Sequence, residues 1–189
     1  MDIEETEGFV KEKLENFPDV RSHTQRVRKY ALFIAKQEKA DLKIVEAAAL
    51  LHDIGYSIEG FSNHAKNSVT VAKKFLEKSN FDNLEYLLNA IEHGKDPKTI
   101  EAKIILDADA LDRIGPIGII RMTIHFFRDE KIIDTKILAE KVKNLIEMSI
   151  QNLYTETAKE IAKSNLLSLK DFFEVLNIQL EPNLYRLTE

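Results

Sequence analysis

Apolar residues recur at three- and four-residue spacing along nearly the whole chain, and only 6 glycines and 4 prolines punctuate its 189 residues. A sheet protein needs much denser turn chemistry, whereas this spacing builds helices with one apolar stripe. Ile3, Phe9, Val10, Leu14 and Phe17 form the first stripe, which Pro18 stops. Ser22 with Gln25 reads as a capping box opening a helix whose stripe is Val27, Tyr30, Ala31, Ile34 and Ala35. Asp41 caps a nearly all-apolar helix that Gly55 ends. Ser62 opens a helix running to about Lys78, and Leu84 to Ile91 is a short one. Asp96-Pro97 reads as a cap and first-turn proline before an apolar helix from Ile100 to Ile114. After the break Gly115-Pro116-Ile117-Gly118, helices are expected from about Ile119 to Phe127, Thr135 to Asn152 and Glu156 to Leu176. The predicted fold is therefore all-α, with residues 1–189 forming a single domain.

The chain has no cysteine, which excludes disulfides, zinc fingers and thiol catalysis and leaves His, Asp and Glu as the metal donors. With 27 Lys and Arg against 32 Asp and Glu, the net charge is −5. A nucleic-acid polymer is not expected as partner on that balance. No apolar run approaches the roughly 18 residues of a membrane span, and no secretory signal opens the sequence. The location expected is therefore cytoplasmic, with no membrane partner.

Two acidic anomalies interrupt the apolar helices. His52-Asp53 follows Ala47-Ala48-Ala49-Leu50-Leu51, where an ionised carboxylate is costly to bury without a partner. Asp107, Asp109 and Asp112 break the run beginning Ile104-Ile105-Leu106. Asp109 and Asp112, three apart, share a helix face, while Asp107 points roughly the other way. Carboxylates this close repel unless a cation or proton neutralises them. His23 and His64 begin helices and His93 ends one. Nitrogen and oxygen donors without thiolate suit Mn, Mg, Fe, Co, Ni or Zn. His125, in Thr-Ile-His-Phe-Phe, reads as structural.

The ordered set of His23, His52-Asp53 and Asp109 resembles the HD-domain metal-dependent phosphohydrolase superfamily, whose signature is His, then His-Asp, then a distant Asp. The likeness is strongest to small HD hydrolases whose last motif reads Asp-Ala-Asp-x-Leu-Asp-x-Ile-Gly-x-Ile-Gly-Ile-x-Arg. This chain has that pattern from Asp107 to Arg121. The resemblance implies an HD helical core over about residues 19–127 and a C-terminal helical extension over about 128–189. It implies one metal on His23, His52, Asp53 and Asp109, with Asp107 orienting a ligand histidine. It assigns His64 and His93 to a second metal or to phosphate. A guanosine-tetraphosphate hydrolase of this superfamily carries Glu-Asp shortly after His-Asp, where this chain has Tyr56-Ser57.

The implied reaction is metal-assisted hydrolysis of a small phosphorylated substrate, with nucleotides favoured and triphosphate pyrophosphohydrolysis ranked above monophosphatase activity. Manganese is the favoured metal. His64 or His93 would be the catalytic acid. Lys66, Arg113 and Arg26 are the candidate phosphate contacts, and Asp112 would touch substrate or fix Arg113. Two other readings stay open: a non-catalytic metal- and nucleotide-binding module, and a di-iron oxygenase using both His64 and His93. The last 60 residues offer helical packing or the surface of a homo-oligomer.

Overall fold

The computed structural model describes residues 2–59, 63–79, 81, 83–92 and 97–181. The expectations placed on Ser62, His93, Gly94 and Asp96 lie outside the described residues. The helices are α1 (Ile3–Lys13), α2 (Pro18–Glu38), α3 (Leu42–Leu51), α4 (Tyr56–Glu59), α5 (His64–Leu76), α6 (Leu84–Ile91), α7 (Ile100–Leu111), α8 (Pro116–Asp129), α9 (Thr135–Gln151) and α10 (Glu156–Leu180). The fold is all-α, with no strand among the described residues. No helix among them is long and apolar enough to cross a membrane.

Local chemistry explains most helix starts. Asp41 accepts from the Lys43 and Ile44 amides, Thr99 from Ala102, Asp134 from Ile137 and Thr155 from Ala158. Each satisfies an amide that the helix itself leaves without an acceptor. Asp41→Ala is expected to lower stability by about 1 kcal/mol, read as a lower urea midpoint at unchanged slope.

Three predicted starts are displaced. The second helix begins at Pro18, whose fixed φ suits a first helical position. Ser22 lies inside it and donates its hydroxyl to the Pro18 carbonyl, so it caps nothing. The cap of α7 is Thr99, and Pro97 lies before the helix. Beyond the break, α8 starts at Pro116, after Gly115 in the left-handed region at φ 141°.

At the centre lies α3, whose Ile44, Val45 and Ala47 to Leu51 are all buried. It packs on α1, α2, α6 and α7, while α2 also packs along α7. The small side chains Ala31, Ala35, Ala48 and Ala108 are fully buried, which lets these backbones approach closely. Of the α2 aromatics, Phe33 is 51 % exposed and does not join this core. The ends of α3 and α7 that carry the acidic anomalies thus meet the His23 end of α2 at one place, and α8 closes one side of it.

Candidate metal centre

Each helix delivers its side chain for a local reason. His23 is buried in the second turn of α2, and His52 is the C-cap of α3. Asp53 follows in the tight turn leading to α4. Asp109 lies in the last turn of α7. His23 Nε2 lies 3.3 Å from His52 Nε2, 3.2 Å from Asp109 Oδ1 and 3.5 Å from Asp53 Oδ2. His52 Nε2 is 3.6 Å from Asp53 Oδ2. The structure therefore brings together His23, His52, Asp53 and Asp109.

Hydrogen bonds on the far sides of the rings fix their tautomers. His52 Nδ1 donates to the Ala49 carbonyl at 2.8 Å, which leaves the neutral ring's lone pair on Nε2. His23 Nδ1 donates to Asp112 Oδ2 at 2.7 Å. Its Nε2 thus faces His52 Nε2 and two carboxylates. Four acceptors aimed at one point require a cation there, either a proton or a metal. Burial works against a charged His23, but hydrogen bonds to Asp109 and Asp112 outweigh it, and its pKa is raised. Burial likewise opposes ionised Asp109, but Arg113 beside it holds its carboxyl well below the usual carboxylate range. His23, His52 and Asp109 each offer an atom within 4.8 Å of the others, a grouping suited to a metal ion. Two imidazole nitrogens and carboxylate oxygens, with both imidazoles oriented by outer partners, fit a first-row divalent ion.

Asp107 does not orient a ligand histidine. Its carboxylate accepts from the Tyr154 amide, the Thr155 amide and the Thr155 hydroxyl, at 2.7–2.8 Å. Burial pushes its pKa up, and these three donors offset that only in part. The residue that holds His23 is Asp112, which is fully buried and also receives Arg26 at 2.5 and 3.0 Å and Arg121 at 2.5 Å. Burial opposes its charge, yet His23, Arg26 and Arg121 lower its pKa. Asp112 is thus neither a substrate contact nor the partner of Arg113. Arg26, expected as a phosphate contact, donates both Nε and Nη2 to Asp112 and is not among the residues lining the cavity beside the cluster.

Arg113 donates Nη1 to Asp109 Oδ2 at 2.7 Å and Nε to Ser149 Oγ at 3.2 Å. Asp107 points to α10, and Asp109 is already balanced by Arg113 and His23. His64 Nε2 is 3.7 Å from Asp53 Oδ1, and its ring packs on Tyr56 with centroids 4.7 Å apart. Burial, with Asp53 and Asp109 nearby, pushes the Tyr56 phenol up, so it stays protonated. His93, expected alongside His64, lies outside the described residues.

His23, Asp53 and Asp109 line a cavity of about 460 Å³, and His52 lies fully buried behind them. Arg113, Arg121, Arg128 and His125 line it, together with Met122, Phe126 and Leu145. Lys66 is exposed on α5 and is not on this wall. The reading of His125 as purely structural missed its place on the wall, where Nδ1 bonds Asp129 Oδ2 at 2.8 Å. A sequence clue existed. Arg121, His125 and Arg128 recur at four and three residues, one face of a helix.

Residues 20–114 match the HD domain family. YpgQ of Bacillus subtilis is 36% identical over 108 residues, which are 52% of this chain and 53% of YpgQ. Ribonuclease Y of Rubrobacter xylanophilus is 28% identical over 156 residues, covering 82% of this chain and 27% of that protein. The chain thus spans about half of the one relative and about a quarter of the other. The crystal structure of YpgQ in complex with ADP superimposes with a TM-score of 0.79 at 25% identity, covering 96% of this chain and 95% of that one. An HD-superfamily hydrolase from Bacillus thuringiensis does so with a TM-score of 0.75 at 25% identity, covering 96% and 97%.

Proposed function

This chain belongs to the HD domain family and has the fold of HD-superfamily hydrolases, and on that premise we propose that it is a metal-dependent phosphohydrolase acting on small phosphorylated substrates, nucleotides first among them. The observation that carries the reading is the convergence of His23, His52, Asp53 and Asp109 beside a cavity lined by Arg113, Arg121 and Arg128. These four residues would hold one divalent ion, with manganese favoured. Such an ion supplies an activated water and polarises a phosphoryl oxygen.

The chain's own residues do the rest. Arg113 and Arg121 are placed to offset the charge that develops on the reacting phosphoryl oxygens, and Arg128 to bind a phosphate away from the reacting bond. His64 Nε2, beside Asp53, is the site from which a proton would pass to the leaving oxygen. Met122, Phe126 and Leu145 offer an apolar seat for a base, which agrees with the ADP held by YpgQ. Pyrophosphate release from a triphosphate ranks first, then phosphate release from a monophosphate. Residues 1–189 are taken as one domain, its HD core over about 19–127 carrying every donor.

The test is a screen of the manganese-reconstituted protein against nucleoside mono-, di- and triphosphates and a short RNA, with products separated by ion exchange. Pyrophosphate is expected from triphosphates, and Asp109→Asn should release none. Arg128→Ala should raise KM several-fold with little change in kcat, because it removes substrate binding away from the reacting bond. Arg128 is half-exposed, so its surface ion pairs contribute little to stability. Lys66→Ala should leave KM unchanged. No product from any nucleotide, or RNA cleaved in preference to nucleotides, overturns the reading.

A further inference from the structure

Asp109 is flanked on α7 by contacts from helices beyond residue 114, where the HD match ends. Two residues before it, Asp107 is held by Tyr154 and Thr155 at the start of α10. Four residues after it, Arg113 is held by Ser149 of α9. One residue further, the Ile114 carbonyl accepts from Asn165 Nδ2 of α10 at 3.0 Å. The Asp107 and Ile114 contacts fix the backbone on either side. The Arg113 contact reaches the carboxylate itself, and so it bears on the donor cluster directly.

Asp109 presents its two oxygens to different partners. Oδ1 faces His23 Nε2 at 3.2 Å, and Oδ2 accepts from Arg113 Nη1 at 2.7 Å. Arg113 therefore sets the rotation of the carboxylate and decides which oxygen reaches the cluster. A guanidinium is a rigid planar fork, so a bond at Nε fixes the direction of Nη1. Ser149 supplies that bond. Its own hydroxyl is directed in turn, because it donates to the Leu145 carbonyl at 2.8 Å and so turns a lone pair toward Arg113. Ser149 is 6% exposed, which keeps water from substituting for it.

We propose that Ser149 is a positioning residue for the donor cluster, acting through Arg113 on Asp109, and that α9 is thereby part of the metal centre. The proposal rests on the metal reading above. It gives the C-terminal helices a task that packing alone does not.

The test uses the full chain stripped of metal and titrated with Mn²⁺ in a calorimeter. Ser149→Val and Ser149→Thr differ only in whether a hydroxyl is present. Val is expected to weaken Mn²⁺ binding about 3–10-fold, less than the roughly 10–100-fold of a ligand's direct hydrogen-bond partner, because Ser149 acts through Arg113. Thr should bind within twofold of wild type. The metal-free Val variant should melt slightly below the Thr variant, because it lacks the two hydrogen bonds of the hydroxyl, so the affinity difference is the deciding readout. A purely structural Ser149 would shift melting temperature and leave affinity alone. Equal affinities for Val and Thr overturn the proposal while leaving the proposed function standing. A wild-type protein that binds no Mn²⁺ overturns both.

Discussion

Asp112→Ala is expected to remove about 3–5 kcal/mol of stability, the range seen when one partner of a buried ion pair is deleted. The carboxylate is fully buried and gathers three cationic or cation-forming groups: His23, Arg26 and Arg121. Removing it leaves the Arg26 and Arg121 guanidiniums without the carboxylate that both of them bind. It also frees His23 to rotate, because Asp112 is the acceptor that fixes its Nδ1 proton. Divalent-metal affinity should therefore fall by about 10–100-fold, as for other losses of a ligand's orienting partner. Asp112→Asn separates the two effects. The amide oxygen can still accept from His23, so affinity should recover further than stability, which depends on the charge. Urea unfolding and Mn²⁺ calorimetry on both variants measure the two quantities. An Ala variant that unfolds within 1 kcal/mol of wild type and binds Mn²⁺ equally would show that Asp112 is not the hub of this site.

The sequence made the helices legible because stripe spacing and end residues are local properties. Asp41 as cap, Leu84 to Ile91 as a short helix and the apolar α3 follow from the chain alone. Spacing also placed Asp109 and Asp112 on one face of α7. That face grips a single imidazole, with Asp109 near Nε2 and Asp112 on Nδ1 of His23. What spacing does not carry is the neighbour across a gap. Asp107 was correctly read as pointing away from Asp109, yet its partners sit 47 and 48 residues further on. Arg26 and Lys66 were both positive residues near ligand histidines, and only the packing shows that one binds Asp112 and the other faces solvent. His125 reads as structural from its own apolar stretch of sequence. It reaches the cavity because α8 folds back over the cluster, a long-range event.

Gly55 is the clearest case of a residue correctly singled out for the wrong reason, and Gly55→Ala is the second large effect expected. Its backbone is not in the left-handed region, so it is not there to end α3 as a cap. A Cβ at this position would lie 2.1 Å from the His64 carbonyl oxygen, 2.4 Å from the Ser68 amide nitrogen and 2.8 Å from Asn67 Cβ. Two of these neighbours are backbone, so no rotamer change relieves the overlap. The first turn of α5 would have to retreat by more than an ångström to reach ordinary contact. That movement breaks the bond from the Gly55 amide to Ser68 Oγ, now 2.9 Å. It also draws His64 away from Asp53, from a starting separation of 3.7 Å. Overpacking of this kind costs about 1–3 kcal/mol, and the upper end applies where the colliding atoms are backbone. Gly55→Ala should therefore unfold at lower urea and, with metal bound, lose kcat through His64 while the affinity for Mn²⁺ changes little. Wild-type stability together with wild-type kcat would mean that α5 is not seated against this turn.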